Sequence, residues 1–314
     1  GHMKIITTKP GEIIDFETVF AEIEELLGEP ERCGRFERLD YTTDVYEDGI
    51  VHPKYCNVYL PWCYDPADAD RKYNVVYYQH GNTLDPEYFT VPERKKMLDC
   101  LFDCPEIEPV ILVFITVYFD CVKDADIRAD TGYVPAGDGN YRGVKANFWK
   151  EVIGDLIPLV ESRYRTYTEG TDPEALIAAR DHRAFSGYSR GAICTWYMFH
   201  HAMEYFRWYA PMSGHTTAGK IFGDPVSVEE AIAYVTKSPL EKPDLPFFIY
   251  ASNGGPEDVK IMTQQMKHLT KQPCFSYGTD PGKNNICYSL SEFPHSDHYA
   301  PFYYYNSLQL LFRA

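Results

Sequence analysis

Gly187-Tyr188-Ser189-Arg190-Gly191 sets one hydroxyl between two glycines, a spacing that serves nucleophilic attack. A serine hydroxyl is a weak nucleophile at neutral pH. It needs a base to take its proton and a sharp turn that exposes the oxygen. Side chains at Gly187 or Gly191 would collide with the neighbouring strand and helix as the chain reverses. The setting agrees, because residues 182–186 read as a buried strand and residues 192–205 as a buried, aromatic-rich helix.

Such a nucleophile calls for an acid and then a histidine, each in a loop after a later strand. After a strand over 247–251, Ser252-Asn253-Gly254-Gly255-Pro256-Glu257-Asp258 offers Asp258 or Glu257 at the strand's C-terminal end. Further on, Glu292-Phe293-Pro294-His295-Ser296-Asp297-His298-Tyr299 offers His295 or His298 as the base. His200 and His201 fall on a predicted helix and read as packed or solvated. His80, before a glycine at a strand end, reads as a brace for its loop. Two backbone donors must face the developing oxyanion. The N–H of Arg190 is the first, and the Gly81-Asn82 turn supplies the second.

The elements around these residues follow from pattern. Phe16, Val19, Phe20, Ile23, Leu26 and Leu27 recur at helical spacing and stop at Gly28, predicting an amphipathic N-terminal helix. Residues 36–60 read as strands with a turn at Glu47-Asp48-Gly49. Residues 73–78 and 109–119 form continuous apolar runs typical of strands buried on both faces. A polar stretch over 120–143 reads as a loop at the C-terminal sheet edge, where ligand sites of α/β folds gather. Trp149, Val152, Ile153, Leu156, Val160 and Tyr164 trace a helical stripe in which Pro158 should bend the helix or leave a local carbonyl unpaired. Strands follow over 206–212 and 246–251, separated by an excursion in which Ser227 and Glu230 have capping-box spacing for a helix starting at Val228. Alternating strands and helices predict an α/β fold, a mostly parallel sheet covered on both faces. The expected organisation is a tag remnant and helical extension over 1–35, then one domain over 36–314.

Composition removes several function classes. The net charge of -16 repels nucleic-acid phosphates and anionic membranes, and no basic stripe overrides it. No apolar run is long enough to span a bilayer. The 9 cysteines form no Cys-x-x-Cys pair, so neither a metal site nor a redox site is expected, and the chemistry asks for no cofactor. The odd count leans toward a reducing, cytoplasmic setting. Gly1-His2-Met3 has the look of a tag remnant, which leaves a removed leader, and hence secretion, open.

Together these residues resemble the feruloyl esterases of carbohydrate esterase family 1, including the esterase modules attached to bacterial xylanases, over residues 41–312. The likeness is carried by Asn57-Val58-Tyr59-Leu60-Pro61, Tyr77-Tyr78-Gln79-His80-Gly81, and Asp155-Leu156-Ile157-Pro158-Leu159-Val160-Glu161-Ser162-Arg163-Tyr164. It continues through the Ser189 turn, Thr195-Trp196-Tyr197 and Pro211-Met212-Ser213-Gly214. The spacing of Tyr299, Tyr303, Tyr305, Leu308 and Phe312 after His295 matches that family and favours His295 over His298; Gly255-Pro256-Glu257-Asp258 favours Asp258.

The resemblance implies an α/β-hydrolase fold and hydrolysis of hydroxycinnamoyl esters of plant saccharides by Ser189, His295 and Asp258, with small-molecule or oligosaccharide esters as substrates. An acetyl-xylan or other small-acyl esterase is the nearest alternative, and a non-catalytic glycan-binding relative the alternative of another class. Where that family ordinarily has Met and a further Gly after the serine, this chain has Arg190, Gly191 and Ala192, which would put a cation at the cleft.

Overall fold

The computed structural model describes residues 24–82, 84–118, 140–216, 227–254 and 256–313, the side chains of 140–143 and 256–258 excepted. Of the residues expected to form the N-terminal helix, 16–23 lie outside the described residues, and Glu24–Leu27 form α1. Residues 120–139 of the predicted edge loop, and 217–226 of the excursion after Gly214, lie outside the described residues.

A hairpin comes first, β1 (Arg35–Thr43) with β2 (His52–Leu60), and its turn uses positive φ at Glu47 (58°) and Gly49 (71°). The chain then runs β3 (Val75–Gln79), α2 (Pro92–Asp103), β4 (Ile111–Ile115), α3 (Asn140–Glu151), a π-helical turn (Val152–Leu156), α4 (Ile157–Arg163) and α5 (Pro173–Ala178). Next come β5 (Arg183–Tyr188), α6 (Arg190–Ala202), β6 (Trp208–Met212), α7 (Val228–Glu241), β7 (Phe248–Gly254), α8 (Pro256–Thr270), β8 (Ile286–Ser291) and α9 (Ala300–Ser307). The Ser227 side chain caps α7, accepting from the Glu230 N–H at 3.1 Å.

Among the described residues eight strands form one sheet in the order β1-β2-β4-β3-β5-β6-β7-β8. The pairs β1–β2 and β2–β4 are antiparallel, and from β4 onward every pair is parallel. This is the α/β-hydrolase fold. The strands β3, β4, β5 and β6 are buried at every residue, which is why their sequences run apolar without alternation. The path from β3 turns to β4 on one side and the path from β5 turns to β6 on the other. A crevice opens where neighbouring connections diverge like this, and here it lies at the C-terminal ends of β3 and β5.

Two features of the frame explain sequence oddities. Pro158 cannot close the helical bond to the carbonyl four residues back, and the helix widens just before it, with the Ile157 N–H reaching the Val152 carbonyl five residues back. Arg183, fully buried at the start of β5, donates to both carboxylate oxygens of Glu161 at 2.7 and 2.8 Å and to the Leu176 and Tyr205 carbonyls. The Tyr77 hydroxyl completes the Glu161 shell at 2.8 Å.

Candidate active site

Ser189 stands between β5 and α6 with φ 59° and ψ -110°, a conformation that L-residues avoid and that the surrounding structure must impose. Its N–H is held by the Met212 carbonyl at 2.8 Å. The flanking glycines allow the close approach the sequence pattern anticipated. A Cβ on Gly187 would sit 2.6 Å from the Gln79 carbonyl oxygen, and one on Gly191 would overlap that oxygen and meet the His80 carbonyl at 3.2 Å. The elbow is thus wedged against the end of β3, which brings the His80 loop beside the nucleophile.

His295, on the loop after β8, puts Nε2 at 2.8 Å from Ser189 Oγ, the distance at which a neutral imidazole accepts the serine proton. His298 is not brought to the serine. It sits in the 3-10 turn Asp297–Tyr299, its pKa lowered by burial. The loop that carries His295 is clasped by Tyr188, whose hydroxyl accepts from the Ser296 N–H at 3.1 Å and faces the Pro294 carbonyl at 3.5 Å. The two rings lie 5.5 Å apart. The sequence pattern of the turn assigns Tyr188 no role of this kind.

Asp258 lies in the first turn of α8, at the C-terminal end of β7, and the side chains of Asp258 and Glu257 are outside the described residues. The three oxyanion candidates fare differently. Among the described residues no acceptor meets the backbone N–H of Arg190 or of Asn82. Gly81 is a correction: its N–H is engaged by Asp297 Oδ2 at 3.0 Å and is not available to a substrate oxygen. Arg190 also carries a buried Nη1 that finds no hydrogen-bond partner among the described residues.

His80 does brace its loop, with Nδ1 at 2.8 Å from the Gly81 carbonyl and Nε2 at 2.7 Å from Thr116 Oγ1. Since a carbonyl only accepts, Nδ1 carries the proton and Nε2 accepts from the threonine hydroxyl. Asp297 escaped the sequence reading. It is 5% exposed, and its Oδ2 also accepts from the Tyr78 hydroxyl. Burial pushes its carboxyl up to about 7, against the opposing pull of the Tyr78 and Gly81 bonds. Nothing in sequence pairs it with residues of β3, although it lies inside the quoted His295 motif. Among the described residues no cluster of side chains is suited to hold a metal.

The Esterase family model matches residues 52–272 of the chain. The chain belongs to the Esterase family. This esterase is 31% identical over 291 residues to endo-1,4-beta-xylanase Y of Acetivibrio thermocellus, a match that takes in 90% of this chain and 23% of the relative. It therefore spans about a quarter of that relative's length. Among solved structures it is similar to a serine-to-alanine mutant of the feruloyl esterase module from Clostridium thermocellum complexed with sinapinate, with TM-score 0.76, 25% identity and coverage of 95% and 94% of the two chains. A CE1 ferulic acid esterase from Anaeromyces mucronatus shares the fold at TM-score 0.60 and 18% identity, covering 89% of this esterase and 91% of that chain. Family and fold make the chain a serine carboxylic-ester hydrolase.

Proposed function

We propose that the chain hydrolyses hydroxycinnamoyl esters of plant cell-wall saccharides, such as feruloyl and p-coumaroyl esters, through an acyl-enzyme on Ser189. The observation that carries the reading is His295 Nε2 at 2.8 Å from Ser189 Oγ, on a strained elbow at the diverging strands. His295 takes the hydroxyl proton as Ser189 Oγ bonds to the ester carbonyl carbon. The backbone N–H groups of Arg190 and Asn82 receive the oxyanion, and Asp258 orients His295. Collapse of the tetrahedral species expels the saccharide alcohol, which leaves with the proton from His295. Water then enters by the same route in reverse, and the hydroxycinnamate departs. The hydroxycinnamoyl preference is supported by the relatives: a xylanase over most of this chain, and an esterase module holding sinapinate.

The test is a panel of methyl ferulate, methyl p-coumarate, feruloylated oligosaccharide and 4-nitrophenyl acetate, with wild type and Ser189→Ala. The expected result is turnover of the hydroxycinnamates that falls by at least about 10⁴-fold in the variant. Preference for acetate would move the acyl group to the small-acyl class. Absence of both turnover and fluorophosphonate labelling of Ser189 would reduce the site to a non-catalytic relative.

A further inference from the structure

Gly81 is gripped at both ends. Its N–H donates to Asp297 Oδ2 at 3.0 Å and its carbonyl accepts from His80 Nδ1 at 2.8 Å. The Gly81 carbonyl and the Asn82 N–H belong to one planar trans peptide unit, so they point in opposite directions and fixing one aims the other. The grips are themselves anchored. His80 Nε2 is held by the Thr116 hydroxyl at 2.7 Å, and the Thr116 carbonyl is held by the buried Lys54 Nζ at 2.7 Å. On the other side, Asp297 is met by the hydroxyl of Tyr78, whose ring is locked edge-on against Phe89 and Phe114 at 5.8 and 5.4 Å.

The clamp lies beside the chemistry. A Cβ on Gly81 would come 3.3 Å from the Tyr188 carbonyl oxygen, in the peptide unit leading to Ser189, and 2.5 Å from Asp297 Oδ1. Asp297 is two residues after His295 in sequence, so one short loop delivers the base to the serine and a carboxyl group to Gly81.

We infer that Asp297 is a positioning residue: it holds the Gly81 N–H, and so the peptide before Gly81, while His80 holds the Gly81 carbonyl of the peptide after it, and the two grips together aim the Asn82 N–H that completes the oxyanion hole. The inference rests on the proposed acyl-enzyme reaction and adds what holds its second donor in place. A donor pre-aimed at the developing charge acts on the transition state more than on bound substrate. Losing the aim should therefore lower kcat and leave KM alone.

The experiment measures methyl ferulate hydrolysis, binding of free ferulate, and inhibition by a trifluoromethyl ketone analogue that forms a tetrahedral adduct with the serine. Asp297→Ala is expected to lose about 10- to 100-fold in kcat, less than or equal to the loss when a donor is removed outright. KM and ferulate affinity stay within about twofold, while the ketone weakens in parallel with kcat. Asp297→Asn, which keeps an acceptor oxygen for Gly81, should recover to within about threefold of wild type. Should Asp297→Ala fail to fold, Gly81→Ala, whose methyl displaces the Asp297 carboxyl, carries the same kcat-selective signature.

Unchanged kcat in the variants, equal weakening of ferulate and ketone, or an Asn variant as poor as the Ala variant each overturns the inference. A wild type lacking Ser189-dependent esterase activity instead overturns the functional reading beneath it.

Discussion

Replacing Asp297 by Asn separates the cost of a buried carboxylate from its use. In the native state burial raises this carboxyl from 3.8 to about 7, so between those values the folded chain holds a proton that the unfolded chain has released. A raised acid stabilises the fold only while protonated, and that contribution is lost as the pH climbs through the window. About 3 units at about 1.4 kcal/mol each give a penalty of about 4 kcal/mol above neutrality, of which about 2 to 3 kcal/mol develops between about pH 5 and 8. Asn cannot ionise and escapes it. Urea unfolding of both proteins at about pH 5, 6, 7 and 8 gives the difference in stability directly, and the other titrating groups, present in both, largely cancel. The variant should gain on the wild type as the pH rises. A difference that stays within about 1 kcal/mol across the range, or that moves the other way, would refute the reasoning about burial.

Three further outcomes test other parts of the structure. Tyr188→Phe keeps the ring and removes the hydroxyl that receives the Ser296 N–H; a lost bond of about 1 to 1.5 kcal/mol that holds the base should lower kcat about 10-fold with little change in KM, read by steady-state kinetics. Gly191→Ala drives a methyl into the Gln79 carbonyl, a backbone group that cannot rotate away, so the loss should reach or exceed about 3 kcal/mol in urea unfolding. Arg183→Met strands the buried Glu161 carboxylate that it now meets at 2.7 and 2.8 Å, and a loss of about 3 to 5 kcal/mol is expected in the same assay.

What was legible in the sequence is what leaves a local mark. The glycines at 187 and 191 are demanded by the close approach of the elbow to itself and to the end of β3, a requirement of the turn that shows in its own residue types. The runs of β3 and β5 announce burial because both faces are covered. Pro158 announced a distorted helix and the structure answers with a π turn. By contrast α2 went unread: it starts at Pro92 after Val91, with no side-chain cap to mark the entry.

The cross-links between loops left still less. Tyr78 and Asp297 stand 219 residues apart, and no periodicity or spacing connects a strand tyrosine to an aspartate beside a late histidine. Gly81 shows the consequence. As a dipeptide after a strand, His80-Gly81 suggests two candidate donors, Gly81 and Asn82, with nothing to choose between them. Only the tertiary bond from Asp297 engages the first, and with Gly81 so anchored the His80 bond to its carbonyl orients the peptide that presents the second. The nucleophile and its base can thus be read from residue types, whereas the environment that receives the negative charge depends on which distant groups the fold brings to one peptide unit.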